Sequence, residues 1–247
     1  ERRMPSLPAY EAYLKYRYYQ WRFTPEDSQR SRECLEQALA LDPNFALPYV
    51  GLADYHLALA AVGGLDSREA MQKARDLAQR ALAIDPDLPE AHAMLGIVAG
   101  VLDFDWPETE RRFRLAMARE PISTHMRQWN AYFHLLSIGR PAEARRQHDR
   151  VIEEDPLSQM WHYTLAISLL ALGSEEAALN ACRKSVELDP QFWVGWMFLG
   201  LIHALHGRHA ESMRCAETAV ASAGRAPVAI GLKAGALALG FALSVTG

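Results

Sequence analysis

Residues 38–56 read ALALDPNFALPYVGLADYH, residues 81–96 read ALAIDPDLPEAHAMLG, and residues 185–200 read SVELDPQFWVGWMFLG. Each phrase sets an acid-proline pair between two apolar stretches. Proline has no N–H to continue a helix and drives the residue before it out of the helical region, so each pair reads as the end of one helix and the approach to another. Aligning on the proline gives Pro43, Pro86, Pro121, Pro156 and Pro190, spaced by 43, 35, 35 and 34 residues. A period near 34 is the signature of stacked helix pairs.

The interior of the period agrees. After Pro156 come Leu165-Ala166, Leu169, Gly173, Ala178, Cys182 and Ser185; after Pro190 the same places hold Leu199-Gly200, His203, Gly207, Ser212, Ala216 and Ala219. Small residues at Ala53, Gly96, Ala166 and Gly200 suit a close helix crossing. Gly139, Gly173 and Gly207 suit the left-handed conformation that ends a helix. The expected units are 8–43, 44–86, 87–121, 122–156, 157–190 and 191–224, with a partial repeat or terminal helix at 226–247, all in one domain. Three irregularities are expected. About nine extra residues near 61–68 make a long hairpin loop, Tyr132 stands where the fourth unit needs a small crossing residue, and the aromatic run Tyr10, Tyr13, Tyr16, Tyr18, Tyr19 and Trp21 forms either a cap or a face for an upstream domain.

Composition removes several classes. The chain of 247 residues is half hydrophobic, enough for a sizeable core. Its net charge of −4, from 26 basic and 30 acidic residues, gives no field that selects nucleic acid or an anionic membrane. Cys34, Cys182 and Cys215 are odd in number and far apart, which reads as buried thiols in a reducing compartment. The most apolar stretch, 226–246, is interrupted by Lys233 and by glycines, so no membrane insertion is expected. A chain opening on Glu1 without a signal peptide and stopping at Val245-Thr246-Gly247 is expected to be a cytoplasmic piece of a longer protein, whose upstream part is free to carry a membrane segment.

These residues resemble the tetratricopeptide repeat (TPR) family, whose pattern puts Trp, Leu-Gly and Tyr on the first helix of a pair and Ala, Phe, Ala and Pro on and after the second. The resemblance covers nearly the whole chain and implies an all-α fold, a right-handed superhelical solenoid of antiparallel helix pairs. PAYEAYLKYRYYQWRFTPED, SREAMQKARDLAQRALAIDPDLPEAH, LDFDWPETERRFRLAM and EEDPLS look like the arrays that follow a winged-helix, nucleotide cyclase or serine/threonine kinase domain in bacterial signalling proteins. Tyr16 stands where that group often has glycine. The resemblance implies a sensory or scaffolding appendage.

In such an array the first helix of each pair lines the inner face. Projected that way, the partner-binding residues are Asp54, Leu57, Glu90, Met94, Ile97, Trp129, Asn130, Phe133, Tyr163, Thr164, Ile167, Met197, Phe198 and Leu201. The row is mostly apolar, as suits a groove for a protein or peptide segment, with inter-repeat core as the competing reading for each residue. An upstream effector domain or a second copy of the chain are the other partners weighed. Of the lysines, arginine and asparagines with which one tetratricopeptide mode grips a C-terminal carboxylate, Asn130 alone is in the row. No cofactor and no catalytic set is expected. His203, His206 and His209 are interrupted by Gly207 and read as hairpin-turn residues before metal ligands, Asp105 ahead of Trp106-Pro107 reads as a helix cap, and Gly63-Gly64 lacks a phosphate loop's lysine.

Overall fold

The computed structural model describes residues 4–20, 24–61 and 66–223, which hold twelve α-helices and no strand. The first seven are α1 Leu7–Tyr19, α2 Pro25–Leu41, α3 Ala46–Ala61, α4 Ser67–Ile84, α5 Pro89–Val98, α6 Trp106–Ala116 and α7 Thr124–Trp129. The remaining five are α8 Pro141–Glu154, α9 Gln159–Ala171, α10 Glu175–Leu188, α11 Trp193–Leu205 and α12 His209–Ala223. The array expected as one domain divides into two compact units, Glu1–Ile138 and Gly139–Gly247. In the first, α1 packs on α2, α3 on α4 and α5 on α6; in the second, α9 packs on α10 and α11 on α12. Residues 62–65, where the long loop is expected, lie outside the described residues, as do Trp21 and the terminal segment 226–247.

The recurring acid-proline phrase is a capping device. Asp42, Asp85, Asp155 and Asp189 each end a helix, with their N–H groups bonded to Ala38, Ala81, Val151 and Ser185 carbonyls. Three of these carboxylates then turn forward: Asp42 Oδ1 accepts from Asn44 N at 3.1 Å, Asp85 Oδ1 from Asp87 N at 3.2 Å and Asp189 Oδ1 from Gln191 N at 2.9 Å. Short acidic side chains do this readily because they reach their own backbone two residues on. The proline carbonyl is used as well. Six residues later a ring with a polar tip reaches back to it, Tyr49 Oη to Pro43 O at 3.2 Å, His92 Nε2 to Pro86 O at 3.0 Å, His162 Nε2 to Pro156 O at 3.0 Å and Trp196 Nε1 to Pro190 O at 2.9 Å. One junction therefore ends a helix and pins the start of the next.

Ten residues after each proline stands a small buried residue, in order Ala53, Gly96, Ala131, Ala166 and Gly200. Tyr132 is therefore not the crossing residue of the fourth unit; Ala131, fully buried, is. The need for small size is direct, since a Cβ on Gly200 would lie 3.2 Å from Cys215 Cβ and 3.3 Å from the Ser212 carbonyl oxygen. The irregularity expected at Tyr132 is one of winding. Asn130–Leu135 is a π-helical segment continuing α7, and Ala99–Asp103 is another continuing α5. A π turn absorbs one extra residue, and the units holding these segments are the ones of 35 residues, while the regular α9–α10 unit has 34. The left-handed turn residue shifts accordingly. Gly173 and Gly207 follow their prolines by seventeen residues, Gly139 and Phe104 by eighteen, and all four have positive φ, at 70°, 68°, 73° and 56°.

The core of the first unit gathers Ala53, Met94, Ile97 and Phe113, with Leu57 and Trp129; that of the second gathers Ala166, Leu169, Cys182, Leu199, Ile202 and Cys215. Two polar groups are set into these interiors. Thr109 Oγ1 donates to the Gly96 carbonyl at 3.1 Å, and buried His148 meets Ser168 Oγ through Nδ1 at 2.8 Å. Burial holds the His148 imidazole down at about 4.

Two measurements test this account. Phe104 occupies a glycine position and is 72% exposed, so Phe104→Gly relieves left-handed strain of about 1 kcal/mol at little loss of burial; urea unfolding should show a higher midpoint, and a lower one would contradict the turn assignment. His148 stays neutral in the fold to about pH 4 but takes a proton near pH 6.5 when unfolded. Its contribution is intact above pH 6.5 and is lost as pH falls toward 4, by on the order of 3 kcal/mol. Thermal melts of a His148→Leu, Ser168→Ala variant should show a shallower acid limb over that interval.

Candidate functional site

Helix α1 begins from Ser6, whose hydroxyl accepts the Ala9 N–H, and places Tyr13, Tyr16, Arg17 and Gln20 along one face at helical spacing. That face meets α3, where Gly51 leaves room for the neighbours. A Cβ there would come within 2.5 Å of Leu35 Cδ2 and 3.2 Å of Tyr16 Cε1. Together with Leu47, Val50 and Asp54 of α3, Glu90 of α5, and Ser123, His125 and Trp129 at α7, these side chains line an open cavity of about 70 Å³ within the first unit. On the same measure one water needs about 10–15 Å³, so the space takes a side-chain head group.

Asp54 dominates the electrostatics. It is 8% exposed and accepts from Gln20 Nε2 at 2.9 Å. Burial raises its carboxyl to about 6, with the Gln20 hydrogen bond and the charge of Arg17 acting in the opposite direction. Burial, helped by Arg17, takes the His125 imidazole down to about 3, so it is neutral, and its ring stands edge-on to Trp129 at 4.2 Å. Tyr16 and Tyr13 are both raised by burial, and Tyr13 is hydrogen-bonded to Arg17. The wall carries the carboxyl groups of Asp54 and Glu90, one guanidinium and the rings of Tyr13, Tyr16 and Trp129.

The sequence-derived row falls in several environments. Asp54, Glu90 and Trp129 line the cavity. Met94 and Ile97 have no exposed surface, and Leu57 is buried beside them, so these three belong to the core, where the stripe of α5 meets α3 and α6. Asn130 is buried at the start of the π segment, bonded through Oδ1 to His134 Nδ1 at 2.9 Å, and His134 stacks on Phe113. Phe133 is half-buried against the same core. In the second unit Thr164 is buried with its hydroxyl on the Trp161 carbonyl, and Ile167 is half-buried. Tyr163 packs edge-on to Phe198 at 5.5 Å, while Met197 and Leu201 are 37% and 49% exposed. Sequence projection missed Tyr13, Tyr16, Arg17 and Gln20 because it set α1 apart as a cap or a face for an upstream domain and projected only the later first helices. Their spacing of three, one and three residues was the available signal.

Other chemistry is weakly placed. Among the described residues no group of three His, Cys, Asp or Glu side chains is arranged to hold a metal ion. His206 Nδ1 is 3.2 Å from Glu175 Oε2, and His203 is buried. Burial pushes the Cys182 thiol up to about 12, far from the thiolate a nucleophile needs. Asp105 caps α6 by accepting the Glu108 N–H at 3.0 Å. Among the described residues no helix is long and apolar enough to cross a membrane.

Comparison with known proteins gives the following. A tetratricopeptide repeat family model matches residues 134–191. The transcriptional regulator HilA of Salmonella typhimurium is 25% identical over 213 residues, which cover 83% of this chain and 37% of HilA. The chain thus spans little more than a third of the length of the curated relatives it matches. Among solved structures, a human IFIT1 dimer with m7Gppp-AAAA superposes with a TM-score of 0.68 at 16% identity, covering 88% of this chain and 50% of that one. The tetratricopeptide protein TTC0263 of Thermus thermophilus gives 0.62 at 17%, covering 77% and 98%. At such identities the superpositions speak to the fold alone. The helix pairs, the small residues at their crossings and the left-handed turns give the described residues the helix-pair fold of the tetratricopeptide repeat proteins, whose family model matches residues 134–191.

Proposed function

We propose that this chain is a non-catalytic interaction module of a larger regulatory protein, holding a segment of a protein partner against the first helices of its repeats. The observation that carries the reading is the cavity of the first unit. Four successive first helices, α1, α3, α5 and α7, contribute to it, and it places Tyr13, Tyr16 and Trp129 around charged groups. Rings beside buried charge are the composition of an interface anchor. The side chains are already held by packing and by the Gln20–Asp54 bond, so little order would be lost on their side when a partner binds. In the second unit, Tyr163, Phe198, Met197 and Leu201 offer apolar contact area for the same kind of segment.

Similarity to a transcriptional regulator over 213 residues supports a regulatory parent. The upstream effector, whether winged-helix, cyclase or kinase, is the part that would act, and this array would decide when. Two carboxylates in the cavity disfavour nucleic acid as the ligand, since phosphate would meet like charge. The cytoplasm is the compartment that fits this role and the unpaired thiols.

The test is recovery of a partner by the immobilised chain, compared with two variants. One is Met197→Glu with Leu201→Glu, at exposed positions; the other is Tyr13→Ala with Glu90→Ala in the cavity wall. A protein retained by the parent chain should be recovered at least tenfold less by one pair, with melting profiles showing both pairs folded. Equal recovery by all three would set both surfaces aside as the binding site. Mass that doubles with concentration in light scattering, and returns to the monomer in the Glu pair, would replace a foreign partner with a second copy.

A further inference from the structure

We propose that the cavity between α1, α3, α5 and α7 is a receptor for one basic side chain, lysine or arginine, projecting from an otherwise apolar bound segment. This rests on reading that face as a partner-binding surface and adds the chemistry of the residue it selects.

Two groups of the cavity, Asp54 and Gln20, have acceptor capacity to spare. Asp54 takes one hydrogen bond, from Gln20 Nε2, and feels the charge of Arg17, but among the described residues no lysine or arginine nitrogen bonds to it. Gln20, having turned its amide nitrogen to Asp54, is left with a buried Oε1 that has no donor. Glu90, also in the wall, forms no ion pair among the described residues. Arg17, exposed at the rim and bonded to Tyr13, leaves the wall with one more carboxylate than cation. An entering ammonium or guanidinium supplies donors to Asp54 and Gln20, balances the charge, and sits among the rings of Tyr13, Tyr16 and Trp129, where a cation is attracted. A carboxylate or phosphate would need to displace the Tyr13 contact of Arg17 and approach two like charges. A buried carboxylate held without a cationic partner destabilises the folded chain, and it is explained when the missing cation comes from the ligand.

Binding should depend on pH. Facing Asp54 are Tyr13, Tyr16, Arg17 and Gln20 of α1, Glu90 of α5 and His125 of α7. Burial places the Asp54 titration at about 6, while His125 is held near 3 and both tyrosines are raised. Asp54 is protonated below that point and accepts a cation poorly; above it the carboxylate is charged.

The probe is a set of fluorescein-labelled nonapeptide pools, apolar and degenerate at eight positions, with the centre fixed as Lys, Arg, norleucine or Glu. Fluorescence anisotropy with the full chain at pH 7.5 should show the Lys or Arg pool binding at least tenfold tighter than norleucine, with the advantage falling about tenfold at pH 5. Asp54→Asn and Glu90→Gln should each reduce the preference. The Asp54→Asn chain should also melt no lower than the parent, since it loses a buried charge, which separates loss of binding from loss of fold. Equal binding of the Lys, Arg and norleucine pools overturns the cation receptor and leaves the groove standing. Preference for the Glu pool overturns it and makes Arg17 the anchor. Binding of no pool by a folded chain overturns both readings.

Discussion

An α-helix leaves its last carbonyls and its successor's first N–H groups unmet, and a chain of stacked hairpins multiplies that deficit at every turn. Here the debt is settled locally, by a carboxylate that ends one helix and bonds forward to Asn44, Asp87 or Gln191, and by a ring that reaches back to the proline carbonyl. The back-bonding rings are Tyr49, His92, His162 and Trp196. These side chains differ in size and chemistry but all combine a flat apolar body with a donor at the tip. Because each junction fixes where the next helix starts, it also fixes which of that helix's faces turns inward. The cavity wall is downstream of this constraint, since Asp54 and Glu90 hold their places only if α3 and α5 start in register.

Much of this was legible in the residues themselves. The prolines set the register, Gly139, Gly173 and Gly207 marked left-handed turns, and Ala53, Gly96, Ala166 and Gly200 marked crossings, because each reports a backbone demand that few residue types meet. What escaped was winding. The common offset of ten residues from the proline puts Ala131, not Tyr132, at the crossing of the fourth unit; the π segment that starts there delays the closing turn at Gly139 by one residue, and Asn130 at its start is buried against His134. Nor does periodicity separate core from surface where a helix is buried nearly all round, as α5 is at Met94 and Ile97.

The cavity was half legible for a different reason. Asp54, Glu90 and Trp129 came from projecting first helices, but α1 read as a cap or as a face for an upstream domain because its aromatics exceed what a repeat needs. The surplus has two uses: Tyr10 and Tyr13 pack on Phe45 of the next turn, while Tyr13 and Tyr16 also wall the cavity. Arg17 and Gln20 then set the charge and hydrogen bonding of a carboxylate on another helix, a relation between residues 34 positions apart that no local pattern carries.

The two π segments bear on how such arrays change length. A residue inserted into an ordinary α-helix turns everything after it by about 100° and would send the next buried stripe to the wrong side. In Ala99–Asp103 and Asn130–Leu135 the surplus residue is confined to one wide turn, and Phe104 and Gly139 close the helix one position later, ahead of the helices that start at Trp106 and Pro141. Single-residue gains in the first helix are thus a tolerated form of variation in this chain, and an alignment of its repeats needs a gap inside a helix, where gaps are ordinarily forbidden.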